Sequence, residues 1–378
     1  MKIGGKNHLC YSMNVFPEKD WLREDSVIRE KVLGLRREVT GSDSANFAIG
    51  LWLDAGTACE FRKKGNLDRL KKWLSGNNLY VFTFNAFPYG IFHGRPVKKE
   101  VYLPDWTSRE RLEYTCMIAD ILAELLPSGI TGSVSTLPGG YRTGIESEEQ
   151  IAKIAGNLLS AAKHLDEIRR KTGKRIILGI EPEPDCLWEN PSEFISFYRK
   201  YLHGRRSENK HIGICYDTCH QELQFGKPGE GLRELIRNKI PIAKFQLSAA
   251  LKAPTPPGKK ALAKFADKVY LHQTRVIERN GSISRYADLP EAMEKADKGR
   301  PWLVHFHIPV FSGRLSGGLL TAKKELEDVL ETVKSGSVPC GNLEIETYTF
   351  SVLPENMRKA GALKMIAKEY RWIKKLFC

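Results

Sequence analysis

Short apolar runs recur along the chain, separated by longer amphipathic segments. The runs are CYSMNVF (10–16), FAIGLWL (47–53), LYVFTFNAF (79–87), GSVSTL (132–137), RIILGIE (175–181), IGICYD (212–217), IAKFQLS (242–248) and NLEIETY (342–348). Near-continuous apolar runs of this length are how strands buried on both faces read. Between them, SRERLEYTCMIADILAELL (108–126) and SEEQIAKIAGNLLSAAKHLDEIRRK (147–171) each open on a serine ahead of acidic residues and then carry helical apolar spacing. That is the signature of a capped helix. Eight strands alternating with helices predict an α/β fold, a (β/α)8 barrel with a parallel sheet inside and helices outside. The rhythm breaks between the seventh and eighth runs, where VYLHQTRVI and WLVHFHIPVF flank a turn-rich stretch. We expect one domain over 1–378 with an insertion at about 251–342, too long for an idle connection. The alternative is that one of these two pieces is itself a barrel strand.

The 378 residues, 42% of them apolar, suffice for a core of that size. Lys and Arg outnumber Asp and Glu, 59 to 45, giving a formal charge of +14. This permits an anionic partner, but the basic residues are spread over segments such as NLDRLKKWL and AKEYRWIKKLF, as on solvated helix faces. Only KAPTPPGKKALAKFADK (252–268) concentrates them. Nucleic acid is therefore not the expected partner. No window reaches the roughly 18 apolar residues of a membrane span, and the N-terminal stretch MKIGGKNHLCYSMNVF lacks a signal-peptide core. A cytoplasmic protein is expected. The eight cysteines read as reduced thiols; Cys215 and Cys219 have zinc-like spacing, but no second pair accompanies them.

In such a barrel the chemistry lies at the C-terminal ends of the strands. The fifth run leads into GIEPEPD, the sixth into CYDTCH, the seventh into FQLS and the eighth into EIETY. Carboxylates converging from apolar strands repel one another and are costly to bury. A divalent cation resolves the conflict, and oxygen donors with imidazole suit manganese, magnesium, zinc or iron. Asp217 would meet such an ion at a strand tip with His220 just above it, or would simply cap the following helix. Glu183 and Glu344 share strand parity with Glu181 and Glu346, so either member of each pair is a candidate ligand. His305 and His307 alternate on one strand face, which aims both into one cavity as ligands or proton carriers. Arg142 and Arg275 are candidates to clamp a substrate oxygen, with His272 beside Arg275 in the same substrate-binding group. Phe16, Phe87, Trp188 and Phe311 are candidates for an apolar wall.

The ordered set of Glu in GIEPEP, Asp-x-x-His in DTCH, a polar residue in FQLS and Glu in EIETY resembles the xylose-isomerase-like TIM barrels, which include sugar isomerases, epimerases and apurinic-endonuclease-like phosphodiesterases. Within them STLPGGYR, IEPEPDCLWE, YDTCHQ, HFHIPVF and LEIETYTFSVLP resemble the EboE family of metabolite-traffic proteins. The resemblance implies one divalent ion held by Glu181, Asp217, Gln246 and Glu346, with His220 adjoining. It also implies proton exchange at carbon by Glu181 and Glu346. Two departures stand out. The third ligand is usually histidine and here is Gln246, while Asn85 and Ser135 stand where the endonuclease branch has histidines. The implied activity is a metal-dependent isomerase or epimerase of a small polar metabolite. A binding protein without turnover and a phosphodiesterase are the alternatives.

Overall fold

The computed structural model describes the chain apart from residues 17–19, 91–97, 205–207, 225–227, 267–269, 339, 349, 351–352, 354 and 378. Residues 267–268 of the basic stretch, and part of TFSVLP, thus lie outside the described residues. The strands run in chain order β1 (Lys2–Ile3), β2 (Asn7–Tyr11), β3 (Phe47–Trp52), β4 (Leu79–Asn85), β5 (Gly132–Thr136), β6 (Ile176–Ile180), β7 (Ile212–Asp217) and β8 (Ile242–Leu247). There follow β9 (Ala249–Ala253), β10 (Thr274–Ile277), β11 (Ile283–Tyr286), β12 (Trp302–Ile308), β13 (Leu320–Thr321) and β14 (Asn342–Ile345).

The first sheet has the order β1-β2-β14-β8-β7-β6-β5-β4-β3. All its pairings are parallel except the small hairpin of β1 with β2. Its two ends meet through one parallel bridge, Ser12 to Gly50, so the barrel is nearly closed. Gly50 is required at that seam, because a Cβ there would collide with the Glu344 carboxylate. All eight predicted runs supply strands to this sheet. The first starts three residues earlier than its run, at Asn7, and its second half becomes the 3-10 turn Met13–Val15. The serine signals mark true helix starts. Ser108 accepts from Arg111 N–H ahead of Arg109–Leu125, and Ser147 forms a capping box with Gln150 ahead of Glu148–Thr172.

The stretch between β8 and β14 builds a second, antiparallel sheet in the order β11-β10-β12-β9-β13. Neither VYLHQTRVI nor WLVHFHIPVF contributes a barrel strand. A single residue, Ser248, separates β9 from the end of β8, which fixes this sheet at the mouth of the barrel. Strand β12 divides its residues by parity. Trp302, Val304, Phe306 and Ile308 enter a separate apolar core with Leu251, Phe265 and Val276, while His305 and His307 take the other face.

The C-terminal helix Ala362–Phe377 closes against the barrel through a buried carboxylate. Glu369 accepts from Tyr11 Oη at 2.9 Å, from Thr347 Oγ1 and from Val310 N–H. Burial pushes its pKa up to about 8, against the pull of those donors. The sign of the linkage follows. Between the unfolded value near 4.5 and about 8 the folded chain keeps a proton that the unfolded chain has lost, so this group's contribution to stability is full below that window and falls as pH rises through it. Glu369→Gln is expected to flatten the decline of unfolding free energy between pH 5 and pH 8, read from urea titrations at several pH values. An unchanged slope would count against this assignment.

Candidate metal and catalytic site

At the mouth of the barrel four strand ends converge. Glu181 follows β6, Asp217 ends β7, Gln246 lies on β8 and Glu346 follows β14. Parallel pairing sets Asp217 opposite Gln246, and the Glu181 and Glu346 backbone N–H groups bond to Thr136 O and Leu247 O, at 3.0 Å each. Oxygens of Glu181, Asp217 and Glu346 lie within 4.8 Å of one another, all buried. The Gln246 amide sits among them: the two N–H groups of Nε2 are shared among Glu181 Oε1 at 2.8 Å, Glu346 Oε2 and, at the longer distance of 3.3 Å, Asp217 Oδ2. Its Oε1 accepts from the Cys215 thiol at 3.0 Å. The nitrogen thus faces the carboxylates here, and half a turn of the amide would present the oxygen instead. Asp217 Oδ1 caps the helix Thr218–Glu222 at His220 N–H, while Oδ2 faces Gln246.

Burial, reinforced by Glu346 and Asp217, drives the Glu181 pKa well above the carboxylate range. Burial likewise raises Glu346 to about 7 even though His307 pulls it down, and Glu183 to about 8. Glu181 Oε2 and Glu183 Oε2 have no hydrogen-bond partner. Three carboxylates at this separation with a buried, unpartnered oxygen are a donor set that a hard divalent cation fits.

Glu344 is one layer deeper, paired with Lys244, and both are fully buried. This cation was not among the candidates. Burial lowers the Lys244 pKa, but Glu344, Cys215, Glu181 and Glu346 together hold it above its ordinary value. Asn14 and Asn85 also meet the site, donating to Glu346 Oε1 at 2.5 and 3.0 Å. Ser135 is buried on β5 with no partner for its Oγ and does not line the cavity.

The cavity over these groups holds about 80 Å³. Glu181, Glu183, Glu346, His220, His305 and His307 line its polar side, and Phe87, Tyr102, Tyr270 and Tyr348 its ring-lined side. His220 Nε2 is 3.1 Å from His305 Nε2, which is 3.0 Å from His307 Nε2. Burial lowers the His220 pKa to about 4 and that of His305 well below its usual value, disfavouring the charged form of both rings.

Other candidates sit elsewhere. Arg142 bonds Cys186 O and Glu193, Arg275 bonds Asp185 and Glu189, and His272 stacks on Phe306 while its Nδ1 meets His305 O. None of the three lines the cavity. The two guanidinium groups go to acids of the 182–193 segment, Glu193 for Arg142 and Asp185 and Glu189 for Arg275. Of the four proposed wall aromatics only Phe87 lines the cavity; Trp188 packs on Phe194 and Phe197 instead. Cys215 and Cys219 do not form a pair, since Cys219 Sγ faces Phe306 O. All the cysteines among the described residues are free thiols.

No protein-family model matches the sequence, and a search of curated proteins finds no match. Solved structures do match in fold. A xylose isomerase-like TIM barrel protein from Mycobacterium smegmatis, in complex with magnesium, aligns with a TM-score of 0.56 at 11% identity, covering 100% of this chain and 98% of that one. An L-ribulose 3-epimerase aligns with a TM-score of 0.51 at 14% identity, covering 98% and 93%. IolI with a bound zinc atom aligns at 0.50 and 13% identity, covering 97% and 95%. Among the described residues no helix is long and apolar enough to cross a membrane. These likenesses show the fold: the chain is a TIM barrel similar in architecture to those of xylose isomerase-like proteins.

Proposed function

We propose that the protein is a metal-dependent isomerase or epimerase of a small, uncharged polar metabolite of the sugar or polyol class. The observation that carries this reading is the meeting of Glu181, Asp217 and Glu346 oxygens within 4.8 Å at the C-terminal end of the barrel, where without a cation burial holds Glu181 and Glu346 above the ordinary carboxylate value. Glu181, Asp217 and Glu346, with Gln246 turned to present its oxygen, would hold one divalent ion. Bound there, the ion supplies Lewis acidity that polarises a substrate carbonyl. Glu181 and Glu346 exchange the proton at the neighbouring carbon as positioned general base and general acid. Asn14 and Asn85 keep the Glu346 carboxylate oriented. The aromatic side excludes water and stacks on the apolar face of a sugar.

The magnesium of one neighbour, the zinc of another and the epimerase activity named for a third agree with this reading. Its finer form, a part in the traffic of a secondary-metabolite precursor as in EboE proteins, rests on the sequence motifs alone. A phosphodiesterase is disfavoured. Lys98, a cationic side chain of the cavity, is already paired with Asp288 at 2.9 Å, and Asn85 and Ser135 stand where the endonuclease branch has histidines.

Two measurements test the proposal. Elemental analysis after metal loading and dialysis is expected to find an ion that Asp217→Ala loses while keeping its circular dichroism. A screen of keto-sugars and polyols is expected to show metal-dependent isomerisation, and an abasic-site duplex should stay intact. Metal-dependent nicking of that duplex, lost in Glu181→Gln, would replace this reading with the phosphodiesterase. Tight sugar binding without conversion would replace it with the binding protein.

A further inference from the structure

A larger cavity lies at the end of the barrel that the isomerase reading leaves unused. It holds about 460 Å³, within the range of roughly 300–1,000 Å³ usual for small-molecule sites. Among its lining residues Lys6, Thr131, Arg175, Pro241 and Gly341 directly precede β2, β5, β6, β8 and β14. It therefore sits at the N-terminal ends of the strands, opposite the carboxylates. Strands β5 and β14 are not neighbours in the sheet, so the cavity reaches across the lower opening; Asn342 Nδ2 ties these two strands by donating to Thr131 O at 2.7 Å.

The lining divides by chemistry. Ile130, Ile177, Ile236 and Ile240 supply apolar surface, and Lys6, Arg175 and Lys239 supply three cations. Among the described residues no carboxylate lines the cavity, and neither Lys6 nor Lys239 makes an ion pair. Arg175 gives an N–H to Lys210 O at 3.1 Å and has no acidic partner. Elsewhere surface cations go to acids, as Lys71 does to Glu124 and Arg37 to Asp43. Burial pushes the Cys340 thiol, which also lines the cavity, up to about 11, so it supplies no negative charge near neutral pH. Three like charges around one concave surface leave a positive potential that an anion would lower.

One of these cations is kept against the preference of its backbone. Lys239 follows the helix Pro228–Arg237 with φ 57 and donates its N–H to Ile236 O at 3.0 Å. The helices Val27–Thr40 and Glu148–Thr172 end on left-handed residues too, and there they are Gly41 and Gly173. A Cβ is unfavourable in that conformation, so the turn itself gains nothing from a lysine.

We propose that the lower opening of the barrel is a second binding site, for an organic anion whose phosphate or carboxylate group is held among Lys6, Arg175 and Lys239 and whose apolar body lies on the isoleucines. The site is independent of the chemistry at the other end, so its failure would leave the isomerase reading standing.

The test is calorimetric titration of the full chain in about 0.15 M salt, where loose surface attraction is screened. Hexyl phosphate or hexanoate is expected to bind with one equivalent, the tighter of the two naming the anionic group. Inorganic phosphate is expected to bind more weakly and hexylamine not at all. Lys239→Gly suits the backbone, so it is expected to keep or raise the Tm while weakening the anion about tenfold or more, as loss of a charged hydrogen bond does. Lys6→Ala is expected to weaken it similarly. Lys71→Ala/Lys72→Ala removes cations from the helix Asn66–Gly76 instead and is expected to leave affinity unchanged. No binding of either hexyl anion, affinity unchanged in both Lys239→Gly and Lys6→Ala, or equal weakening in the Lys71/Lys72 control would overturn the site. So would hexylamine binding as tightly as the anions, or inorganic phosphate matching them. The titration is repeated with chelator and with magnesium; binding that needs magnesium would place the anion at the barrel mouth and overturn this assignment.

Discussion

Glu181→Gln is expected to abolish turnover on whichever sugar the screen returns, and at the same time to make the metal-free protein more stable at pH 8. The two effects have one cause. Glutamine keeps the shape of glutamate but neither exchanges a proton nor carries charge, and loss of a general acid or base lowers rate by about 10²–10⁴. Glu181 is also a proposed ligand, so the upper end of that range is expected. For stability, burial and the neighbouring Glu346 and Asp217 raise the Glu181 pKa far above its unfolded value. A raised carboxylate pKa contributes most stability below the unfolded value and loses it as pH climbs, so by pH 8 the side chain opposes folding unless a cation is present. The glutamine variant escapes that penalty. With saturating divalent metal the order reverses, because binding to the folded state alone stabilises the parent. Thermal unfolding of both proteins at pH 8, with chelator and with metal, checks this. A parent more stable than the variant in chelator would mean that Glu181 is paired in a way these contacts do not show.

The barrel was legible because parallel strands are buried on both faces, and runs such as RIILGI and IGICY can hardly be anything else. The strand-end acids were legible for the complementary reason that a carboxylate closing such a run needs a partner. Period-two spacing likewise aimed His305 and His307 at one face of β12. What stayed hidden depended on contacts between distant parts of the chain. Lys244 stands in an apolar run with no local partner to account for it until Glu344, a hundred residues on, is seen beside it. Asn14 and Asn85 are small amides in apolar runs, and nothing local announces that both reach Glu346. Arg142 and Arg275 have the chemistry of substrate clamps, but a guanidinium goes to the nearest carboxylates. Those belong to the 182–193 loop. The orientation of Gln246 also lies beyond sequence, since it depends on the Cys215 thiol as much as on the acids.

Lys244→Met is expected to be the most destabilising single substitution near the site, although it touches neither cavity nor substrate. Methionine retains much of the apolar stem, so packing changes little; what disappears is the ammonium group. Lys244 and Glu344 are 0% exposed, and Glu344 Oε1 already lacks a hydrogen-bond partner. Removing the lysine leaves a carboxylate buried in the barrel beneath three others. Breaking a buried pair from one side costs about 3–5 kcal/mol, because the remaining charge is uncompensated. Lys244→Met with Glu344→Gln removes both charges and is expected to recover most of that loss, since buried pairs contribute little net stability over uncharged replacements. Urea unfolding of the parent, both single variants and the double variant closes the cycle, with unchanged m-values required for the comparison. A Lys244→Met loss below about 1 kcal/mol would mean that the pair's charges are not what the barrel depends on. The expected outcome instead makes Lys244 the fixed counter-charge of the lower layer, so that the acids above it are the ones left for a metal to neutralise.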